Sequence, residues 1–232
     1  MKIQMVMFDM AGTTVHDNDD VNICFQAALK STGLPISRDD INAVMGLQKP
    51  LAIRLVLESK LTDHSTITEE YVNELHDVFL SETINFYKND PRVKEIEGAS
   101  DVFRALKAAD IKVAIDSGFS RDIIDTIIER LGWERDGLID ISVASDEVSQ
   151  GRPAAYMIQK AMAAFGITDP KAVAKVGDTP ADLNEGYNSH TAYNIGVLSG
   201  ACTRAELEAH PHTHILESIR EVPALVAGVL VD

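Results

Sequence analysis

Residues 6–14 read Val6-Met7-Phe8-Asp9-Met10-Ala11-Gly12-Thr13-Thr14, a short apolar run that ends on an aspartate and passes at once into a small, flexible turn. A continuous apolar run of this length, without polar alternation, is the pattern of a strand buried on both faces of a parallel sheet. Asp9 therefore stands where such a strand releases its last residue into a cleft. Gly12, Thr13 and Thr14 supply the tight turn and the hydroxyls behind it.

Further strand-like runs occur at residues 3–8 (which contains this one), 111–115, 141–144, 172–176 and 192–197, with helical patterns between most of them. That alternation predicts an α/β fold, a parallel sheet wrapped by helices. Residues 99–109 place Val102, Phe103 and Leu106 on one helical face, and residues 121–131 do the same with Ile124, Ile127, Ile128 and Leu131. The interval between the first two runs breaks the rhythm. It holds only amphipathic helical patterns: Cys24, Ala27, Ala28 and Leu29, then Ile53, Leu55, Val56 and Leu57, then Tyr71, Leu75, Val78 and Phe79. Such an interval is too long for a simple crossover and suits an inserted helical module. We expect the insert over residues 16–92, with Asn89-Asp90-Pro91 as its exit turn, and a core formed by residues 1–15 and 93–232. An insert leaving directly after Asp9 sits over the carboxyl ends of the strands, where open α/β sheets bind ligands, and is expected to act as a cap.

Composition narrows the function. The 232 residues are 45% hydrophobic, enough for a sizeable core without disulfides. A formal charge of −15 and a pI near 4.8 repel phosphate backbones and anionic lipid, and no basic patch opposes that field, so no nucleic-acid or membrane partner is expected. The apolar stretch 223–231 is too short to span a bilayer, and Asp9 interrupts the N-terminal run before a signal-peptide core could form. Cys24 and Cys202 have no metal-like spacing and read as free thiols. A cytoplasmic protein, monomer or homodimer, is the expectation.

Three strand ends deliver polar residues to one edge of the expected sheet: Asp9, then Ser117-Gly118, then Asp178 in VGDTPAD. Arg152, in GRP, falls in the loop after the third strand. A carboxylate held in line with phosphorus can attack it and form an aspartyl phosphate that water later hydrolyses, which makes Asp9 the expected nucleophile. Two carboxylates at adjacent strand ends repel unless a cation lies between them, and a hard, oxygen-preferring ion such as Mg²⁺ would join Asp9, Asp178 and a phosphate oxygen. Ser117, Gly118 and Arg152 can hold the remaining phosphate oxygens. Asp116 immediately precedes Ser117, and the sequence alone leaves open which of the two faces the phosphate.

The order DMAGTT, helical insert, serine after the second strand, GRP, and GDTPAD followed by LNEG resembles the haloacid dehalogenase superfamily, in particular its phosphonatase-like branch with a small helical cap. The resemblance covers essentially the whole chain. It implies a Rossmann-like core, Mg²⁺ bound by Asp9, the Ala11 carbonyl and Asp178, a supporting role for Asp182, and a small phosphonate or organophosphate substrate. Most members carry a second aspartate, the leaving-group acid, where this chain has Ala11. Phosphonatases of this branch share that alanine and use a cap lysine that forms a Schiff base, which MGLQK matches at Lys49. The pairing is chemically coherent, because an iminium accepts the electrons of a breaking carbon–phosphorus bond and no oxygen leaving group needs a proton. Ala52, Phe119 and Asp19 depart from the branch, where a histidine, a tyrosine and a cap-contacting cysteine stand. The alternative reading is a small-molecule phosphomonoester phosphatase of the phosphoglycolate type, which Ala11 disfavours.

Two other clusters invite chemistry. HPHTH at residues 210–214 reads as an edge or turn segment leading into a strand at Ile215, in preference to a transition-metal site. Asp17, Asp19 and Asp20 lack the offsets of a calcium loop and read as a solvated hinge with a helix N-cap.

Overall fold

The computed structural model describes residues 2–231. Six parallel strands form one sheet: β1 (Met5–Phe8), β2 (Lys112–Ser117), β3 (Ile141–Ala144), β4 (Val173–Gly177), β5 (Tyr193–Val197) and β6 (His214–Leu216), in the order β3-β2-β1-β4-β5-β6. The chain winds outward from β1 through β2 to β3, returns to β4 on the other side of β1, and winds outward again. The order reverses between β1 and β4, so the carboxyl ends of those two strands open the crevice in which such sheets bind ligands.

Strand geometry divides the core. Successive side chains of β1 point to opposite faces. Val6 and Phe8 join one buried cluster with Phe103 and Ile124, while Met5 and Met7 join the other with Met157, Ile158 and Ala161. The helices supplying these residues are α5 (Ala99–Ala108) and α6 (Arg121–Leu131) on the first face and α7 (Tyr156–Ala164) on the second. Helix α8 (Pro180–Asn188) packs on β4 and β5, with α9 (Arg204–Glu208) and α10 (Val222–Ala227) completing the order. Of the histidines in HPHTH, only His214 enters a strand.

Between β1 and α5 stand the helices of the inserted cap: α1 (Asp20–Leu29), α2 (Arg38–Asn42), α3 (Lys49–Lys60) and α4 (Glu69–Asn89). Their buried faces differ from the sequence expectation in three places. Ala27, Leu55 and Val78 are exposed. The stripe on α1 runs through Val21, Cys24, Phe25, Ala28 and Leu29, and that on α3 through Lys49, Ala52, Ile53, Val56 and Leu57, the i, i+3, i+4, i+7 spacing of a single helical face. The three exposed residues lie off their stripes. Lys49 belongs to its stripe, a charge-bearing residue in an apolar row. Among the described residues no helix is long and apolar enough to cross a membrane.

Candidate active site

The tight turn after β1 is built by backbone hydrogen bonds from Thr13, Thr14 and Val15 to the Met10 carbonyl, at 3.1, 2.8 and 2.8 Å. Gly12, at φ +87°, is required twice over: the conformation is left-handed, and a Cβ there would collide with the Asp178 carboxylate. The turn thereby brings the end of β4 against the end of β1. Thr13 Oγ1 donates to Asp178 Oδ1 at 2.8 Å, and the Ala201 N–H donates to Asp178 Oδ2, also at 2.8 Å.

A narrow cavity of about 20 Å³ lies between cap and core, lined by Asp9, Ala11, Asp17, Lys49, Ser117, Gly118 and Asp178, among others. Its volume is that of about one water molecule, so a substrate must enter when the cap stands further open. The closure is a backbone contact. A Cβ on Gly118 would overlap the carbonyls of Gly46 and Leu47, and one on Gly46 would overlap the Thr179 hydroxyl. Both glycines are what allow the cap loop to meet the core loops.

Ser117 and Gly118 line the cavity, whereas Asp116, one position earlier, is completely buried and faces away from it. The period-2 alternation of β2 sends the two side chains to opposite faces, and it is Ser117 whose face meets the cavity. Asp116 instead pairs with Arg152 and Lys175. Arg152 is also buried, and does not line the cavity. Its Nη1 donates to Asp9 Oδ1 at 2.6 Å and lies 3.0 Å from Asp182 Oδ1, its Nη2 contacts Asp116, and its Nε lies 3.1 Å from Glu185 Oε2. Lys175 repeats three of these pairings from β4, with Asp116, with Asp182 at 3.1 Å and with Glu185 at 3.1 Å. Asp182 also closes the capping box of α8 through Thr179. Sequence reasoning missed Lys175 and Glu185, although a lysine interrupting a strand buried on both faces, and a glutamate one helical turn from Asp182, are legible signals.

Here two buried cations pair with four buried carboxylates, those of Asp9, Asp116, Asp182 and Glu185, beside a fifth, Asp178, that has no ion-pair partner among the described residues. Burial raises the Asp9 pKa to about 6, against the opposing pull of Arg152. Asp178 is held well above the ordinary carboxylate range by burial and then by the charge of Asp9. One carboxylate oxygen from each of Asp9, Asp178 and Asp182 lies within 4.8 Å of the others. Carboxylates crowded this closely, with too few cations beside them, form an all-oxygen donor set compatible with a hard divalent ion.

On the cap side, Lys49 heads α3, behind Gln48 and ahead of Pro50. Its Nζ sits among three phenyl rings, 5.1 Å from the centroid of Phe119, 5.9 Å from Phe79 and 6.0 Å from Phe25. The sole hydrogen-bond partner among the described residues is the Leu47 carbonyl, at 3.4 Å. Burial lowers the Lys49 pKa to about 8, against the opposing pull of Asp9. Ala52, the next residue along the same stripe, is fully buried and carries no ionisable group. Asp19 lies away from this pocket and pairs with Arg38 at 2.7 Å.

The family profile described as haloacid dehalogenase-like hydrolase matches residues 6–194. The chain is 27% identical, over an alignment 256 positions long, to a phosphonoacetaldehyde hydrolase of Bacteroides fragilis, with 97% of this chain and 96% of the relative covered. Among solved structures it is similar to a hydrolase from Pseudomonas syringae, with a TM-score of 0.84 at 18% identity over 98% of this chain and 100% of the other. It is also similar to a phosphonoacetaldehyde hydrolase-like protein from Oleispira antarctica, with a TM-score of 0.79 at 20% identity over 100% of this chain and 96% of the other.

Proposed function

The chain belongs to the haloacid dehalogenase-like hydrolases, and from that premise we propose that it cleaves the carbon–phosphorus bond of a small phosphonate bearing a carbonyl group. The observation that carries this reading is Lys49: a lysine buried among phenyl rings, with its pKa lowered to about 8, in the cavity that holds the Asp9 carboxylate. A lysine that is partly uncharged near neutral pH is a nucleophile for carbonyl carbon.

In this reading Lys49 condenses with the substrate carbonyl, with loss of water, to an iminium. Asp9 Oδ2, which accepts no hydrogen bond from the described residues, attacks phosphorus while Arg152 holds Oδ1. The carbon–phosphorus bond breaks, its electrons pass into the iminium to give an enamine, and the phosphoryl group remains on Asp9. The enamine carbon takes a proton from water. Hydrolysis of the resulting iminium frees Lys49 and the carbonyl product, and hydrolysis of the aspartyl phosphate frees orthophosphate. Ser117 and the Gly118 amide hold the non-bridging oxygens. Asp9, Asp178 and the Ala11 carbonyl would hold Mg²⁺, with Asp182 behind them, and the ion would supply positive charge against the phosphoryl oxygens. Because the leaving group is carbon, the acid absent at Ala11 is not needed.

The experiment is orthophosphate release from a panel of small phosphonates and phosphate monoesters, with and without Mg²⁺ and a chelator, alongside borohydride reduction and peptide mass mapping. We expect metal-dependent release from a carbonyl phosphonate and a reduced adduct on Lys49. Turnover confined to phosphate esters, with no adduct, would instead establish the phosphomonoesterase reading. In that case Ala11→Asp should accelerate ester hydrolysis by roughly 10²-fold, the usual contribution of a general acid.

A further inference from the structure

We propose that Asp17 is the proton-transfer carboxyl for carbonyl chemistry at Lys49, an assignment that rests on the Lys49 reading above. Asp17 lies between the β1 turn and α1, and its side chain lines the same cavity as Lys49 and Asp9. Its Oδ1 accepts from the backbone N–H groups of Asp20, at 2.7 Å, and Val21, at 3.2 Å, which fixes the carboxyl plane at the start of α1. Its Oδ2 has no hydrogen-bond partner among the described residues. One oxygen is thus anchored and the other unpartnered, in a half-buried residue on the wall of a cavity that admits about one water.

The remaining ionisable groups lining that cavity are engaged elsewhere. Asp178 accepts from Thr13 and Ala201 and belongs to the candidate cation site, and Asp9 is oriented by Arg152 towards phosphorus. Lys49 is the amine itself. His76 is stacked on Phe79 with ring centroids 6.5 Å apart and does not line the cavity. Burial also raises the Asp17 pKa, so its acid form persists further towards neutral pH than that of an exposed aspartate.

Imine formation needs such a group. The neutral Lys49 amine adds to the carbonyl carbon, and the proton it sheds passes to the former carbonyl oxygen, giving a carbinolamine. Asp17 as an acid then donates its proton to the carbinolamine hydroxyl. The C–O bond breaks, water leaves, and the nitrogen lone pair completes the C=N bond of the iminium. The Asp17 carboxylate takes the proton back when water adds to the iminium at the end of the cycle.

The test separates this role from the reading beneath it. In an Asp9→Asn background, where phosphorus chemistry is blocked, phosphonoacetaldehyde and borohydride should label Lys49 in a time course followed by mass spectrometry. Adding Asp17→Asn keeps an oxygen acceptor for the Asp20 and Val21 amides but cannot transfer a proton, and should slow labelling by roughly 10²-fold at an unchanged melting temperature. Asp17→Glu should recover part of that loss, and formate should accelerate Asp17→Ala in proportion to its concentration. Equal labelling rates with and without Asp17→Asn would overturn the Asp17 role alone and turn attention to His76. No labelling in either protein would overturn the Lys49 reading, and the Asp17 role with it.

Discussion

Two lysines are fully or almost fully buried in this protein, and their surroundings drive them in opposite directions. Lys175, on β4, meets three carboxylates, which push its pKa up in spite of burial. Lys49, on α3, meets three phenyl rings and one distant carbonyl, and burial prevails. Desolvation penalises the charged form of both, so the partner set decides. The core lysine is a permanent cation that holds the acid cluster together beneath Asp9. The cap lysine can surrender its proton, which permits reaction with carbon. Core and cap thus divide the labour, with charge compensation below the reaction centre and a desolvated nucleophile above it.

The largest expected effect breaks this division on the cap side. Lys49→Arg keeps a cation but cannot form an imine and stays charged at any working pH. It should lower phosphonate cleavage by about 10⁴-fold or more, on the order of what removal of a covalent nucleophile costs, while orthophosphate and phosphonate binding persist in calorimetry. Activity within tenfold of the parent would reduce Lys49 to an electrostatic contact.

The next comparison concerns stability, where replacement by methionine should act with opposite signs. Lys175→Met leaves Asp116, Asp182 and Glu185 with Arg152 as their only cationic partner among the described residues, and unpaired buried charge typically costs about 3–5 kcal/mol. Lys49→Met removes a penalty. The folded-state pKa lies below the unfolded one, so below about pH 8 the folded state carries the full cost of burying the ammonium, and that cost fades as pH rises towards 10.5. At about 1.4 kcal/mol per unit, the substitution should stabilise by up to about 3 kcal/mol at pH 7 and by much less at pH 10. Urea denaturation at the two pH values checks both signs; a destabilised Lys49→Met would mean that the ring cage stabilises the ammonium instead of desolvating it.

How much of this is legible in the chain follows from which interactions are local. The first five strands and the residues at their ends are set by runs of apolar residues and the turns that close them, so the sequence suffices to place Asp9, Ser117 and Asp178 on one edge. Sheet alternation says that Asp116 and Ser117 diverge, but choosing between them needs the orientation of β2 against β1 and β3. The cluster of Lys175 with Asp116 and Glu185 joins residues far apart in the chain, and no local pattern announces which buried charges will meet. Asp17 reads, in sequence, as part of a solvated hinge. Its capping of the Asp20 and Val21 amides is local and foreseeable in kind, whereas its place in the cavity depends on how the cap folds back over the core. Asp19, the neighbouring candidate cap, adopts φ 70° and makes no capping bond. The Phe25, Phe79 and Phe119 cage likewise draws one ring from each of α1, α4 and the loop after β2, a convergence that only tertiary packing creates.

The smallest effect is the most direct reading of the contrast between the two lysines. In the Asp17→Asn protein, where no acid form of residue 17 is required, the rate of borohydride labelling should rise tenfold per pH unit well below 8 and level off above it if the free amine of Lys49 is the attacking species, because the reactive fraction follows deprotonation of a group whose pKa is about 8. Between pH 7 and pH 8 the gain should be about fivefold. Asp9 pulls this limb upward and Arg152 pulls it downward, whereas in the parent protein the acid form of Asp17 is lost as the amine is released, so there the rise should be flattened about a faster rate. Acetaldehyde, which carries no phosphonate to titrate, should give a limb at the same pH and so exclude ionisation of the substrate as its source. Lys175 contributes nothing to this profile, because its partners keep it charged throughout. In the Asp17→Asn protein, a labelling rate that stays flat from pH 6.5 to 8 would show that the phenyl rings do not hold Lys49 near neutrality, and the distinction between the two buried lysines would be one of position alone.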